Sequence, residues 1–584
     1  MNWILYFDLI VFVLTTSFWR ALPVEFSMGG NYQHEYSWPS VLMTILKIPF
    51  SGVAVALLIF FVTLPIIWWL SKSNNIVKLY VPSSHFWNKA AFILVGIALV
   101  EYTVTNYYFL DHMPHVPDSV AYLTQAKIFA SGKVFLTSIP FDWHFPLQLV
   151  HFQGRYFSQY NFGHPLLLAI GVLVHIPWIV PPIVGALCIA MTYLVGKTLY
   201  SNRIGFLAAF FMFVSPFVKM NASNFMSHNS AQLFTLLATY LFIKAAQTKH
   251  WAYALLTGLA FGFLCNIRPY TAFWILIPFC AIALFYRFRK NPSVPKLTLW
   301  WLAGMAFMMI SYLAYNVLLT GNPLVSPYNV GYLSQFGFGP GRTIGGGLMD
   351  IYTNMFLLDR VLLGWPFGLS WIFFLIFLFF KKKTKWEYLF LGIIVALPLG
   401  YFFYQGSWMM YGPRFWYEMT PFLILVIVLG IEQMPQIYRS VFHNADWIRQ
   451  IDTRKLLLIP YGIALALCIV SMTGWYRVSN NPRWGNDYTP LNIGELKNFN
   501  YAQRTLIDQV EKLRLKDAIV FIAPSDNWWT YGVTSTFMDL SFRDNVIYAL
   551  DLGDVLNKKL FERYPGRKAY QGDYYTGEII QYSP

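Results

Sequence analysis

The segment WIFFLIFLFFKKKTK, residues 371–385, runs through ten apolar side chains and stops at a cluster of four lysines. A helix on the surface of a soluble domain would interrupt such a run with polar residues on its outer face. Here none intervenes, so every side of the helix has to meet an apolar surround. The pattern recurs in AFILVGIALV (91–100) and LLLIPYGIALALCIVSM (456–472). A helix needs about 20 such residues to cross the hydrocarbon core of a bilayer. Of the 584 residues, 57% are hydrophobic and 12% charged, where a soluble domain carries about 25% charged residues. The chain therefore reads as an all-α polytopic membrane protein. Its N-terminal MNWILYFDLIVFVLTTSFWR has no basic residue ahead of the apolar run and no small-residue cleavage site. It reads as a retained first span.

Apolar windows place about thirteen spans, near 1–19, 50–70, 90–110, 180–199, 204–220, 229–246, 251–267, 270–286, 298–318, 357–380, 387–404, 415–433 and 456–475. The lysines of 381–385 then join a series of basic clusters in alternate loops. The others are Lys72, Lys78 and Lys89; Lys197 and Arg203; Lys244 and Lys249; RFRK (287–290) with Lys296; and Arg439, Arg449, Arg454 and Lys455. On that side the acids are Glu387, Glu432, Asp446 and Asp452. Cytoplasmic loops concentrate Lys and Arg, which puts the N-terminus in the cytoplasm and the C-terminus outside. The net charge of +15 thus records topology, and no nucleic-acid surface is needed to explain it. Cys188, Cys265, Cys280 and Cys468 fall in apolar segments without CxxC spacing. They read as small buried hydrophobes rather than a disulfide or zinc framework.

Three stretches then face outward: 111–179, 319–356 and the tail from about 478. In the tail, YAQRTLIDQVEKLRL (501–515) sets Leu506, Val510 and Leu513 on one helical face, while AIVFIAP (518–524) and NVIYAL (545–550) read as strands. The chain divides into a two-span extension (1–89), a transmembrane core (90–477) and a small extracytoplasmic α/β domain (478–584).

The first outer stretch contains PHVPDSVAYLTQAKIFASGK (114–133), in which Asp118 follows a proline and Gly132 closes the segment as a C-cap. The helix between them is too short to span. Tyr122, Ala126 and Phe129 share one face, so it should lie along the interface with that side down. Asp118 at its start is either an N-cap carboxylate or a general base for an incoming hydroxyl. GRYFSQYNFGHPLLLAIGVLVHIP (154–177) carries a second short apolar run after His164-Pro165. Two half-length helices in one loop point to a cavity roofed at the membrane surface. MNASNFMSHN (220–229) holds His228, CNIRPY (265–270) holds Arg268 and MYGPRFWYEMTPF (410–422) holds Arg414. Each arginine is either an anchor that snorkels to headgroups or a bidentate fork for phosphate. Their place on the same side as Asp118 favours the fork. His164 and His228 read first as ordinary polar contacts and second as substrate-binding groups. GFGPGRTIGGG (337–347) lacks the GK[ST] ending of a nucleotide loop and reads as a mobile outer loop.

These segments, with VGKTLYSNRIGFLAAFFMFVSP (195–216), NFMSHNSAQLFTLLATYLF (224–242) and YGPRFWYEMTPFLIL (411–425), stand in the order found in GT-C glycosyltransferases. Over roughly residues 90–435 the chain most resembles the bacterial protein O-mannosyltransferase and aminoarabinose transferase branch. The resemblance implies transfer of a hexosyl or pentosyl unit from a polyprenyl-phosphate donor, outside a bacterial inner membrane. The acceptor would be a glycan, lipid or protein. Asp118 matches the acidic residue that acts in catalysis after the first conserved span. His164-Pro165 matches the His-Pro or Pro-Pro start of a juxtamembrane helix. Three positions depart from the family. Ser119 stands where a glutamate is usual, His228 or Asn229 stands where an acid often opens the fourth core span, and YNFGHPL (160–166) lacks the lysine that touches lipid phosphate. A divalent metal is left open.

The chemistry agrees with the resemblance. A lipid-phosphate sugar is anionic at its head and apolar below, so it calls for arginines at the outer interface. Charge grows on the leaving phosphate, and fixed guanidinium groups stabilise it preferentially in the transition state. The activated lipid supplies the energy, which accounts for the lack of a nucleotide motif. Two other readings stand beside it. A lipid or small-molecule transporter or flippase is favoured by Glu101, which with Asp8 is placed inside a span. An inactive scaffold with a partner-binding outer domain is favoured by Ser119.

Overall fold

The computed structural model describes residues 83–139, 142–145, 147–288, 292–331, 343–365, 369–404, 410–441, 451–475, 490, 493–523 and 529–583. The spans expected at 1–19 and 50–70 lie outside these residues. From α1 (Ser84–Phe109) the chain turns into α2 (Pro117–Ala130), forms a hairpin of β1 (Val150–Phe152) and β2 (Arg155–Phe157), and enters α3 (Gly163–Leu173). Next come α4 (Val180–Leu199), α5 (Asn202–Val214) and α6 (Pro216–Ala222). They lead to α7 (His228–Thr248), α8 (Trp251–Ile267), α9 (Pro269–Phe288) and α10 (Ser293–Thr320). α11 (Ile344–Leu362), α12 (Leu369–Phe380), α13 (Lys385–Tyr401), α14 (Thr420–Ile431) and α15 (Thr453–Trp475) complete the bundle. Among the described residues five helices are long and apolar enough to cross a bilayer, or six if one bent pair is a single span. Small residues let backbones close up. At Gly258, on α8, an added Cβ would lie 2.0 Å from the Trp301 carbonyl oxygen of α10.

Two expected spans are interrupted. The run 204–220 bends by 71° between α5 and α6. Pro216 forces Ser215 out of the helical region, and the Ser215 hydroxyl then caps the new helix, accepting from the Val218 N–H at 3.3 Å. The run 357–380 divides into the end of α11 and the whole of α12. The glycine-rich 337–347 is also revised. Ile344–Gly347 are helical, with Thr343 accepting from the Gly346 N–H at 3.1 Å, while 337–342 fall outside the described residues.

Polar contacts hold both ends of α1. Near its start, Lys197 donates to Asn88 at 2.9 Å. Just past its end, Asp111 pairs with Lys497, which leads into the α/β unit. That unit is a four-stranded sheet in the order β4 (Val546–Leu550), β3 (Ala518–Ile522), β5 (Lys568–Gly572), β6 (Ile579–Tyr582). β3 is parallel to both its neighbours and buried along its whole length, which explains its unbroken apolar run. Leu506 and Val510 of α16 (Thr505–Lys512) are buried as expected, but Leu513 lies beyond the helix and is 48% exposed.

The sheet shares its core with the first loop, through Ile128, Leu136, Ile139, Phe145 and Leu147. This changes the environment of α2. Instead of lying apolar side down, it is enclosed on all faces, with Ser119, Thr124 and Gln125 buried beside Tyr122 and Ala126. Lys127 on its far side donates to the carbonyl oxygens of Thr536 and Met538. His115, just ahead of α2, links the Leu110 carbonyl (2.9 Å) to that of Phe499 (3.1 Å). α2 is thus clamped between bundle and α/β unit, which fixes where Asp118 stands.

Candidate active site

Asp118 is not the N-cap. That position is held by Val116, with no side-chain hydrogen bond, and Pro117 opens the helix with its preset φ. Asp118 sits in the first turn, where the helix dipole favours a carboxylate. Its Oδ2 accepts from Arg414 Nη1 at 3.2 Å. Arg414 is brought there by a sharp turn at Tyr411 (φ 60°) and Gly412 (φ 89°). A side chain at 412 would also strike the Phe217 ring at 2.9 Å, so glycine is required twice over. The 3-10 segment Arg414–Met419 then leads into α14.

Arg268 lies between α8 and α9. Pro269 restarts the helix and leaves Arg268 extended, at φ −143° and ψ 84°. Its Nε donates to Thr271 Oγ1 (3.2 Å), Nη1 to Ser227 Oγ (3.2 Å) and Nη2 to the Tyr401 hydroxyl (3.4 Å). Glu418 Oε1 is 3.5 Å from Arg268 Nε and 3.3 Å from His228 Nδ1. A guanidinium carries five N–H donors. Among the described residues one N–H on each terminal nitrogen of Arg268 has no acceptor.

Both arginines flank one ring. The Phe415 centroid is 5.1 Å from Arg414 Cζ and 5.6 Å from Arg268 Cζ, and Tyr401 stacks on it at 4.7 Å. Both guanidinium groups are largely enclosed by protein. The side chains are 8% and 15% exposed. Tyr122 joins the two halves: it faces Asp118 from the same helix, and its hydroxyl is 3.0 Å from Ser227 Oγ. Burial first, then the Asp118 charge, hold its phenol well above its ordinary range, so it remains a proton donor.

The expected residues therefore converge, but not in equal roles. His164 is tied to Ser230 Oγ and the Phe225 carbonyl, both at 2.9 Å, and packs its ring on Tyr122 at 4.9 Å. Both of its ring nitrogens thus have partners within the protein. His228 is fully buried against Glu418, its Nε2 without a partner among the described residues. Asn229 is spent on the Pro181 carbonyl at 2.9 Å. Glu418 itself, with Tyr401 and Ser227, was not singled out in the sequence. The carboxylate beside His228 is that of Glu418.

Ser119 is buried with its hydroxyl unpartnered among the described residues. Asp118 has a guanidinium beside it rather than a second acid, and among the described residues no three His, Cys, Asp or Glu side chains gather for a metal. This donor set does not fit a divalent cation at Asp118, and no step below uses one. Glu101, the acid that favours transport, is paired with Lys219. The site as a whole offers a carboxylate, phenolic donors and two guanidinium groups at one end of an apolar bundle.

A family model described as dolichyl-phosphate-mannose-protein mannosyltransferase matches residues 169–315, which include His228 and Arg268. No curated protein sequence matches the chain. Among solved structures, ArnT from Cupriavidus metallidurans bound to undecaprenyl phosphate aligns over 82% of this chain and 92% of its own, at 12% identity and a TM-score of 0.50. The apo oligosaccharyltransferase of Archaeoglobus fulgidus aligns over 82% of this chain and 69% of its own, at 13% identity and a TM-score of 0.45. The likeness to ArnT is one of fold, and it agrees with the GT-C architecture read from the sequence.

Proposed function

We propose that the chain is a membrane glycosyltransferase that moves a sugar from a polyprenyl-phosphate donor to an acceptor hydroxyl on the extracytoplasmic side. The observation that carries this reading is the convergence of Asp118–Arg414 and Arg268–Glu418 on Phe415, where the bundle meets the α/β unit. ArnT, which shares the fold, has been seen with undecaprenyl phosphate bound. In the proposed reaction the bond from the anomeric carbon to the phosphate oxygen breaks, and the phosphate leaves with the electron pair. The acceptor oxygen bonds to the same carbon and its proton passes to Asp118, whose Oδ1 is not engaged by Arg414. Arg268 and Arg414 receive the phosphate charge as it develops. Incubating the purified protein with labelled polyprenyl-phosphate hexoses and pentoses tests this, with transfer or hydrolysis expected. No turnover of any of these donors would overturn it.

If the two arginines hold the phosphate, Arg268→Lys and Arg414→Lys should each raise the donor KM by about tenfold or more, because an ammonium cannot reproduce a bidentate fork. Unchanged donor affinity in both would withdraw the clamp. The orientation has its own check. A single cysteine placed within 381–385 should be shielded from an impermeant thiol reagent in intact cells, and one within 560–575 should label. The reverse pattern would put Asp118 in the cytoplasm.

A further inference from the structure

A groove opens at the far ends of α7, α9 and α10, beside the start of α13, with about 700 Å³ of free space including its mouth. It is remote from Asp118: α7 starts at His228, in the site, and Lys249 follows its last residue. The walls are mostly apolar, with Phe242, Ile282 and Leu297, and the lining residues that carry charge are Lys249 and Lys385. Neither lysine is paired with a carboxylate among the described residues. Lys385 is held in place all the same. Its Nζ lies 4.6 Å from the Tyr286 ring centre and 4.7 Å from that of Trp386, and a capping box of Thr384 and Glu387 fixes the helix start beneath it. Trp301, also in the lining, is 6% exposed and has an indole N–H without a partner among the described residues. Elsewhere on α9 and α10, Phe285, Leu299 and Phe288 are 50%, 66% and 82% exposed, on helices long enough to span. That flank has the character of a surface for acyl chains.

We infer that this groove binds an anionic phospholipid of the adjoining leaflet, with its phosphate between Lys249 and Lys385 and its chains along the exposed flank. Two unneutralised ammonium groups select against a zwitterionic headgroup, which brings a positive charge of its own. The apolar walls select against a free inorganic anion. Lysines near a membrane surface each contribute about a fivefold gain for anionic lipid, so the pair should give about 30-fold selectivity.

The test is native mass spectrometry of the full chain after exposure to equal amounts of phosphatidylglycerol and phosphatidylcholine, a readout that does not depend on sugar transfer. The wild type should retain phosphatidylglycerol about 30-fold in preference, and the Lys249→Gln/Lys385→Gln variant should retain the two equally. Equal retention by the wild type would overturn the inference, and needs no variant to be read. Displacement of the lipid by millimolar inorganic phosphate would overturn it as well, by making the site one for the bare anion.

Discussion

Asp118→Asn is expected to lower the turnover of sugar transfer by about 10²-fold or more, the usual scale of general-base catalysis. The substitution keeps the shape of the side chain and its place in the first turn of α2. It removes the capacity to take a proton and the charge opposite Arg414. Those two losses separate kinetically. A missing base lowers kcat and abolishes the acidic limb of the pH profile, while donor KM stays nearly constant. A missing partner for Arg414 acts on donor KM instead, and its cost would not add to that of Arg414→Lys, because one contact is lost in both. The base reading predicts additive losses that lie mainly in kcat. Near wild-type turnover in Asp118→Asn would leave this carboxylate as no more than an anchor for Arg414.

The parts of this structure that were legible from the sequence are those fixed by local chemistry. Unbroken apolar runs gave the helices of the bundle, the punctuation of Pro117 and Gly132 bounded α2, and AIVFI gave the central strand of the sheet. The interruption at 215–216 was written in a Ser-Pro pair, but the apolar run around it favoured a straight span. What could not be read was pairing at long range. Arg414 meets Asp118 across 296 positions, and His228 meets Glu418 across 190. Each of these residues looks like an interfacial or capping group in its own segment. The enclosure of α2 was hidden for a similar reason: the surface that covers it belongs to the α/β unit, and nothing within 117–130 reports it. Glu418, two residues ahead of a helix free of charge, was the available signal. A buried acid in that position is held as a carboxylate by a neighbouring cation, and Arg268 and Arg414 were already candidates.

That requirement sets the remaining large effect. Glu418 is fully buried, and Arg268, which cannot give up its proton, is 15% exposed beside it. Glu418→Gln preserves volume but removes the carboxylate that lies 3.5 Å from Arg268 Nε, which leaves a guanidinium without its counter-charge. Breaking a buried pair in this way costs about 3–5 kcal/mol. The lower end is expected here, because Ser227, Thr271 and Tyr401 still solvate the cation. The protein without donor should therefore melt several degrees below the wild type. A polyprenyl phosphate bound against Arg268 would return the missing negative charge. Added polyprenyl phosphate should then raise the melting temperature of Glu418→Gln by more than it raises that of the wild type, since a ligand stabilises in proportion to its affinity for the folded state. An unchanged melting temperature in Glu418→Gln would mean that the charge of Arg268 is balanced by another group. A loss of stability that polyprenyl phosphate fails to repair would separate Glu418 from the phosphate site and leave it a structural partner alone.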